Sequence, residues 1–197
     1  MAEREQRYTQ DPLFWRAGAI ATTIFMSMVL AALTLDTLRQ ITPGGPRVPS
    51  YDVINNSIAY EYDPERDEYA PKIGGEELLF GHKYSPEEAS DLIGKGKLVI
   101  QSRACIDCHT FFGNGGYYAP DLTRAWVDPV WRKYAGTKRG NKLALFLMQP
   151  LRLGARPMPD LQIHRDEAEG AVAYLKWMSS VDSNGFPDRF GAVSGQQ

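Results

Sequence analysis

Cysteine and histidine are scarce in this chain: 197 residues hold two cysteines and three histidines. Both cysteines fall inside one string, Cys105-Ile106-Asp107-Cys108-His109. That leaves none for a disulfide framework or a four-thiolate metal site. Excess charge of either sign is missing too, because 22 Lys and Arg face 24 Asp and Glu for a formal net charge of −2. Nucleic-acid binding normally needs a basic stripe, so that class is excluded. No glycine motif of the dinucleotide or P-loop kind is found, which removes the common nucleotide-binding classes. Internal repeats and long low-complexity runs are absent.

One long apolar run is present. Ala17 to Leu35 covers 19 residues without a charge. As a helix it would rise roughly 28 Å, close to the hydrocarbon thickness of a bilayer. Its hydroxyls, on Thr22, Thr23, Ser27 and Thr34, can bond back to helical carbonyls and so are tolerable in lipid. Trp15 and Arg16 stand at its leading edge, where an aromatic ring and a snorkelling cation both fit. The run is longer than the apolar part of a signal peptide, and LAALTLDTL is a poor cleavage site. A retained anchor over 13–36 is therefore expected, with residues 1–12 on the cytoplasmic side. Arg4, Arg7 and Arg16 before it, against Arg39 and Arg47 after it, lean the same way.

Residues 37–84 read as an extended acidic connector. ITPGGPRVPSYD breaks helix and strand alike. From 51 to 80, eight carboxylates (Asp52, Glu61, Asp63, Glu65, Asp67, Glu68, Glu76, Glu77) face Arg66 and Lys72. Such a run is commonly a solvated linker. Interleaved Tyr60, Tyr62 and Tyr69 support a second reading, an arm laid over a partner subunit.

Cys-x-x-Cys-His is the string that attaches a c-type haem. Two thiols add to the two vinyl groups of one porphyrin, and the adjacent histidine supplies the fifth ligand. Other meanings of Cys-x-x-Cys fit poorly. Zinc needs two further ligands at paired spacing, and only His82 and His164 remain. A thioredoxin-like pair belongs at a strand-to-helix junction. His82 and His164 have ordinary readings at helix entries, as surface or capping residues, with a sixth-ligand role for His164 as a remote alternative. The sixth ligand is expected after His109. Met158, in Gly154-Ala-Arg-Pro-Met158-Pro-Asp, is held between prolines. Met148, in the helix-like run LALFLMQ, reads better as a core methionine. A thioether opposite a histidine raises the potential and leaves no open position at the iron, so catalytic residues are not expected in this chain.

Two helices frame the motif. Ser85-Pro86-Glu87-Glu88 carries a serine cap, proline at the first position and glutamate at the third. The helix runs toward Gln101, and Gly94 and Gly96 within it would let another backbone approach. Asp166 to Val181 forms the last helix, with Ala171, Leu175 and Met178 as its apolar seam. One helix before the motif and one after the methionine loop give a cytochrome c-like haem domain over 85–182, followed by a tail, 183–197. The fold class expected is mainly α: a single N-terminal transmembrane helix plus this domain.

The loop His109-Thr-Phe-Phe-Gly113-Asn-Gly115-Gly-Tyr117-Tyr-Ala-Pro120-Asp-Leu122 resembles the cytochrome c subunit of bacterial nitric oxide reductase. The N-terminal membrane helix, Pro-Met158-Pro-Asp-Leu and the end from Val172 to Pro187 agree. The connector is longer than in that family. The resemblance implies one covalent haem c on Cys105 and Cys108, with His109 and Met158 axial to the iron. It implies that the Pro120 carbonyl receives the second nitrogen of the axial histidine, and that Gly115 and Tyr117 help bind an interface calcium shared with the partner. It also implies partners: a large multi-helix catalytic subunit holding haem b and non-haem iron, and a soluble electron donor, a cytochrome c or a cupredoxin. The haem domain would then lie in the periplasm, anchored in the bacterial inner membrane. An electron-transfer subunit of another haem-copper oxidase, a free-standing anchored cytochrome and a haem-based sensor are the competing readings.

Overall fold

The computed structural model describes residues 11–135, 138–150 and 157–187. The chain divides into two compact units, residues 1–42 and 43–197.

Among the described residues the first unit is one helix, α1 (Pro12–Ile41). Asp11 caps it by accepting from the Leu13 N–H at 2.9 Å, and Pro12 takes the first position, where no donor is needed. None of its residues is buried, and its most apolar stretch has a mean hydropathy of 2.0. Thr34 Oγ1 donates to the Leu30 carbonyl at 2.7 Å, so this hydroxyl is satisfied within the helix. Thirty residues rise about 45 Å, more than the expected 13–36. The helix continues through the polar turn holding Asp36, Arg39 and Gln40. Of the expected cytoplasmic N-terminus, residues 1–10 lie outside the described residues.

The second unit is built on two crossed helices, α2 (Pro86–Ser102) and α5 (Arg165–Met178). Between them come α3 (Pro129–Ala135) and α4 (Arg139–Met148). The start of α2 follows its sequence signal. Ser85 Oγ accepts from the Glu88 N–H at 3.2 Å, and the Glu88 carboxylate accepts from the Ser85 N–H at 2.8 Å. Where α2 and α5 cross, Gly96 lies against Gly170. A β-carbon on Gly96 would run into the Gly170 carbonyl and come within 2.8 Å of Tyr174 Cβ. Gly94 plays no such part, because a β-carbon there meets nothing within 4 Å. The core around this crossing includes Ala89, Ile93, Trp126, Leu143, Val172 and Leu175.

Residues 37–84 are not the irregular linker that their charge suggests. After a 3-10 turn at Tyr51–Asn55, β1 (Asn56–Asp63) and β2 (Glu68–Glu76) form an antiparallel hairpin with Tyr62 opposite Tyr69. Val53, Ile54 and Ile58 are buried, and residues 43–84 belong to the same unit as the haem motif. The acidic residues are answered by cations. Lys72 reaches Glu61 at 2.6 Å and Lys83 reaches Glu76 at 2.7 Å. Arg66 pairs with Glu68 and forks onto Asp182 at 2.8 and 3.2 Å. Asn55 stands in for a strand, donating to the Tyr84 carbonyl and accepting from the Tyr84 N–H, both at 2.9 Å.

Lys176 on α5 has a side chain with no exposed surface. Its ammonium donates to the Glu77 carbonyl at 3.1 Å, lies 3.5 Å from the Glu77 carboxylate and stacks 4.8 Å from the centre of the Trp126 ring. Burial pushes its pKa down to about 8, against the opposing pull of Glu77. The Lys176–Glu77 contact ties the base of the hairpin to the last helix. Of the expected tail, residues 188–197 lie outside the described residues.

Candidate haem site

The motif begins where α2 ends. Ala104 adopts a left-handed conformation (φ 52°), a costly setting for a residue with a β-carbon. It turns the chain off the helix axis into a short 3-10 turn, Cys105–Asp107. The Cys105 carbonyl accepts from the Cys108 N–H at 3.3 Å and from the His109 N–H at 2.9 Å. Both thiols are free and half-buried, and burial pushes the Cys105 thiol pKa up. Thus one turn carries two unpaired thiols with the imidazole directly after them.

His109 is oriented by its neighbour across the loop. Its Nδ1 lies 2.7 Å from the Pro120 carbonyl. A carbonyl can only accept, so Nδ1 carries the proton and Nε2 is left as the lone-pair donor. This is the tautomer a metal-ligating histidine needs.

The glycines after the motif close the loop. Gly113 (φ 76°) and Gly115 (φ 128°) take conformations that side chains disfavour. A β-carbon on Gly115 would strike the His109 carbonyl and approach the Ile106 carbonyl to 2.8 Å. The chain folds back here as two short strands, β3 (Thr110–Phe111) and β4 (Asn114–Gly115). Residues 119–123 then run beside 108–113. Ala119 N–H donates to Cys108 O at 2.9 Å, and Leu122 N–H to Thr110 O at 2.8 Å.

Met158 is half-buried and packs against the main core. Part of its loop, residues 151–156, lies outside the described residues. Met148, at the end of α4, packs on the same core. Arg103 ties the methionine segment to the haem motif. It donates to the Leu161 carbonyl at 3.3 Å and forks onto the Glu167 carboxylate at 2.9 and 2.7 Å. The His164 N–H and then Arg103 hold the Glu167 carboxyl below the usual range. Sequence inspection passes over Arg103, since its partners lie some sixty residues away and leave no local trace. The remaining histidines are peripheral. His82 is exposed near Glu88, and His164 is an exposed cap of α5.

The donor set fits a c-type haem: two unpaired thiols on one turn, an imidazole of the correct tautomer beside them, and a thioether on a later loop. Chains similar to this one carry a matching name. The nitric oxide reductase C subunit of Stutzerimonas stutzeri is 30% identical over 112 residues, spanning 56% of this chain and 75% of that protein. This chain belongs to the family of nitric oxide reductase C subunits. Its counterparts of the same name in Halomonas halodenitrificans (29% over 107 residues, 51% of this chain and 68% of that one) and Paracoccus denitrificans (26% over 130 residues, 56% and 82%) are similar as well. No protein-family model matches the chain. Membership of this family agrees with one long apolar helix that could cross a membrane and with a cytochrome c domain. The calcium site gains no support: Tyr117 Oη donates to the Gly113 carbonyl at 2.8 Å. Among the described residues, no group of three His, Cys, Asp or Glu side chains could hold a metal ion.

Proposed function

We propose that this chain is the electron-entry subunit of a nitric oxide reductase complex. It holds one haem c through Cys105 and Cys108, with His109 and Met158 as axial ligands. It takes electrons from a soluble periplasmic donor, a cytochrome c or a cupredoxin, and hands them to haem b of a large multi-helix catalytic subunit. That partner, with its non-haem iron, uses two such electrons and two protons to reduce two NO to N₂O and water. The observation that carries this reading is the 2.7 Å contact of His109 Nδ1 with the Pro120 carbonyl, directly after two unpaired thiols.

When bound, the haem supplies a one-electron couple. The chain's own residues do the rest. Cys105 and Cys108 fix the group covalently, so it cannot dissociate between turnovers. The Pro120 carbonyl keeps the His109 proton on Nδ1 and leaves the Nε2 lone pair free for the iron. Met158 would supply the remaining ligand to the iron, which would leave small molecules no open position there and leave NO chemistry to the partner. The α1 anchor spans the inner membrane and keeps the domain on the periplasmic side, where covalent haem is attached.

The test is the haem inventory of the chain purified from native membranes in mild detergent, by pyridine haemochrome spectra. Haem c accompanied by b-type haem, in a preparation that turns over NO, is the expected result. Haem c arriving alone would favour a free-standing anchored cytochrome. Co-purified b-type haem that reduces oxygen but not NO would favour another haem-copper oxidase.

A further inference from the structure

The segment 119–123 is held against the haem motif by more than backbone bonds, and one carboxylate accounts for most of the extra ties. Asp121 Oδ2 accepts from Thr110 Oγ1 at 2.6 Å and from the Gly113 N–H at 3.4 Å. Its Oδ1 accepts from the Thr123 N–H at 2.8 Å. Thr123 Oγ1 in turn accepts from the Phe112 N–H at 2.8 Å. Thr110 and Thr123 are buried, at 4% and 0% exposure, so solvent does not compete for these hydroxyls.

The arrangement forms two rungs side by side. His109 meets Pro120, and the next residues on each strand, Thr110 and Asp121, meet through their side chains. The Pro120 carbonyl belongs to the same rigid peptide plane as the Asp121 nitrogen. Pinning Asp121 to Thr110 therefore fixes the direction in which that carbonyl points at His109.

We propose that Asp121 is a positioning residue for the axial histidine: through Thr110, Gly113 and Thr123 it aims the Pro120 carbonyl at His109 Nδ1 and so sets the reduction potential of the haem. This rests on the haem assignment to Cys105, Cys108 and His109. A well-aligned Nδ1–H···O bond makes the imidazole a stronger donor and favours ferric iron. A loosened carbonyl weakens that donation and raises the potential.

The experiment uses the full-length chain loaded with haem during expression, as wild type and as Asp121→Ala, Asp121→Asn, Thr110→Val and Thr110→Ser. Covalent haem is measured by pyridine haemochrome, the midpoint potential by redox titration, and axial-ligand orientation by low-temperature electron paramagnetic resonance of the ferric form. Haem content should match wild type in every variant. Asp121→Ala and Thr110→Val should both raise the potential, by about tenfold in the reduction equilibrium constant, roughly 59 mV for one electron. Both should shift or broaden the resonance, and Thr110→Ser, which keeps the hydroxyl, should restore the wild-type values. The proposal is overturned if Thr110→Val leaves the resonance and the potential unchanged. It is also overturned if Asp121→Asn moves the potential as far as Asp121→Ala with an unaltered resonance, since the carboxylate then acts only through its charge. Where Asp121→Ala does not accumulate, the Thr110 pair decides. Failure of the wild-type chain to bind haem covalently would strike the parent assignment and not this one.

Discussion

Replacing Gly96 by alanine should damage the haem domain more than any other single-methyl addition to α2, while the same change two residues earlier should help it. The magnitude follows from the crossing. A β-carbon on Gly96 would sit 2.8 Å from Tyr174 Cβ and closer still to the Gly170 carbonyl, whereas non-bonded carbons prefer about 3.5–4.0 Å. The obstacle is largely backbone, which cannot swing aside like a side-chain tip. The helices must separate, and Ala89, Ile93, Val172 and Leu175, all 3% exposed or less, lose packing together. Overpacking of this kind costs about 3 kcal/mol. The gain in helix propensity from Gly to Ala, about 1 kcal/mol, offsets part of it. A net loss of roughly 2 kcal/mol is expected. At Gly94 nothing lies within 4 Å, so only the propensity gain of about 1 kcal/mol remains. Urea unfolding of the full chain in detergent, followed by the fluorescence of Trp126, Trp131 and Trp177, reads both. The midpoints should move in opposite directions. Equal destabilisation by the two variants, or none by Gly96→Ala, would refute the close-crossing argument.

Three further outcomes are expected. Met158→Ala should lower the midpoint potential and let CO bind the reduced iron; optical titration and CO difference spectra decide, and a variant unchanged in both would move the sixth ligand elsewhere. Stability should rise by on the order of 2 kcal/mol from pH 8 to about 9.5, because Lys176, depressed to about 8 in the fold, binds fewer protons there than in the unfolded chain. Above that window Tyr84 and Tyr174, whose phenol pKa values burial pushes up, work the other way; Lys176→Met should flatten the rise in denaturation midpoints. Arg103→Ala should cost about 2 kcal/mol by breaking a charge-assisted fork on Glu167 and should increase CO access at the iron; unchanged CO binding would mean the arginine does not steady the methionine segment.

What the sequence discloses is local in origin. The Ser85 cap, the Cys105-to-His109 string, the glycine loop and the apolar run of α1 each carry their signal within a few residues. The seam of α5 is equally legible, and so is a glycine contact between the helices, although the sequence does not tell Gly96, which makes it, from Gly94, which does not. The hairpin is hidden for a physical reason. Its carboxylates, counted together, look like a solvated run, yet Ile58 is buried and Tyr62 sits opposite Tyr69, and the cations that answer the charge include one paired 116 residues away, Arg66 with Asp182. Long separation also hides Arg103 with Glu167, 64 residues apart, and Lys176 with Glu77, 99 residues apart. Charge pairs between residues so far apart leave no periodicity to detect. Asp121 is an intermediate case: its partners are near in sequence, but only the folded loop shows that three donors converge on one carboxylate.

The short span of the ties from Cys105 to Thr123 has a consequence for the order in which the site comes apart. All of the bonds that orient His109 close loops of fewer than twenty residues, so they form at little entropic cost and outlast partial opening. The Met158 side depends on α5 staying docked and on Arg103 reaching across 64 residues to Glu167. On the ligation proposed above, mild denaturant or gentle heat should therefore release Met158 while His109 is still held, so that an exchangeable ligand position opens before the domain unfolds.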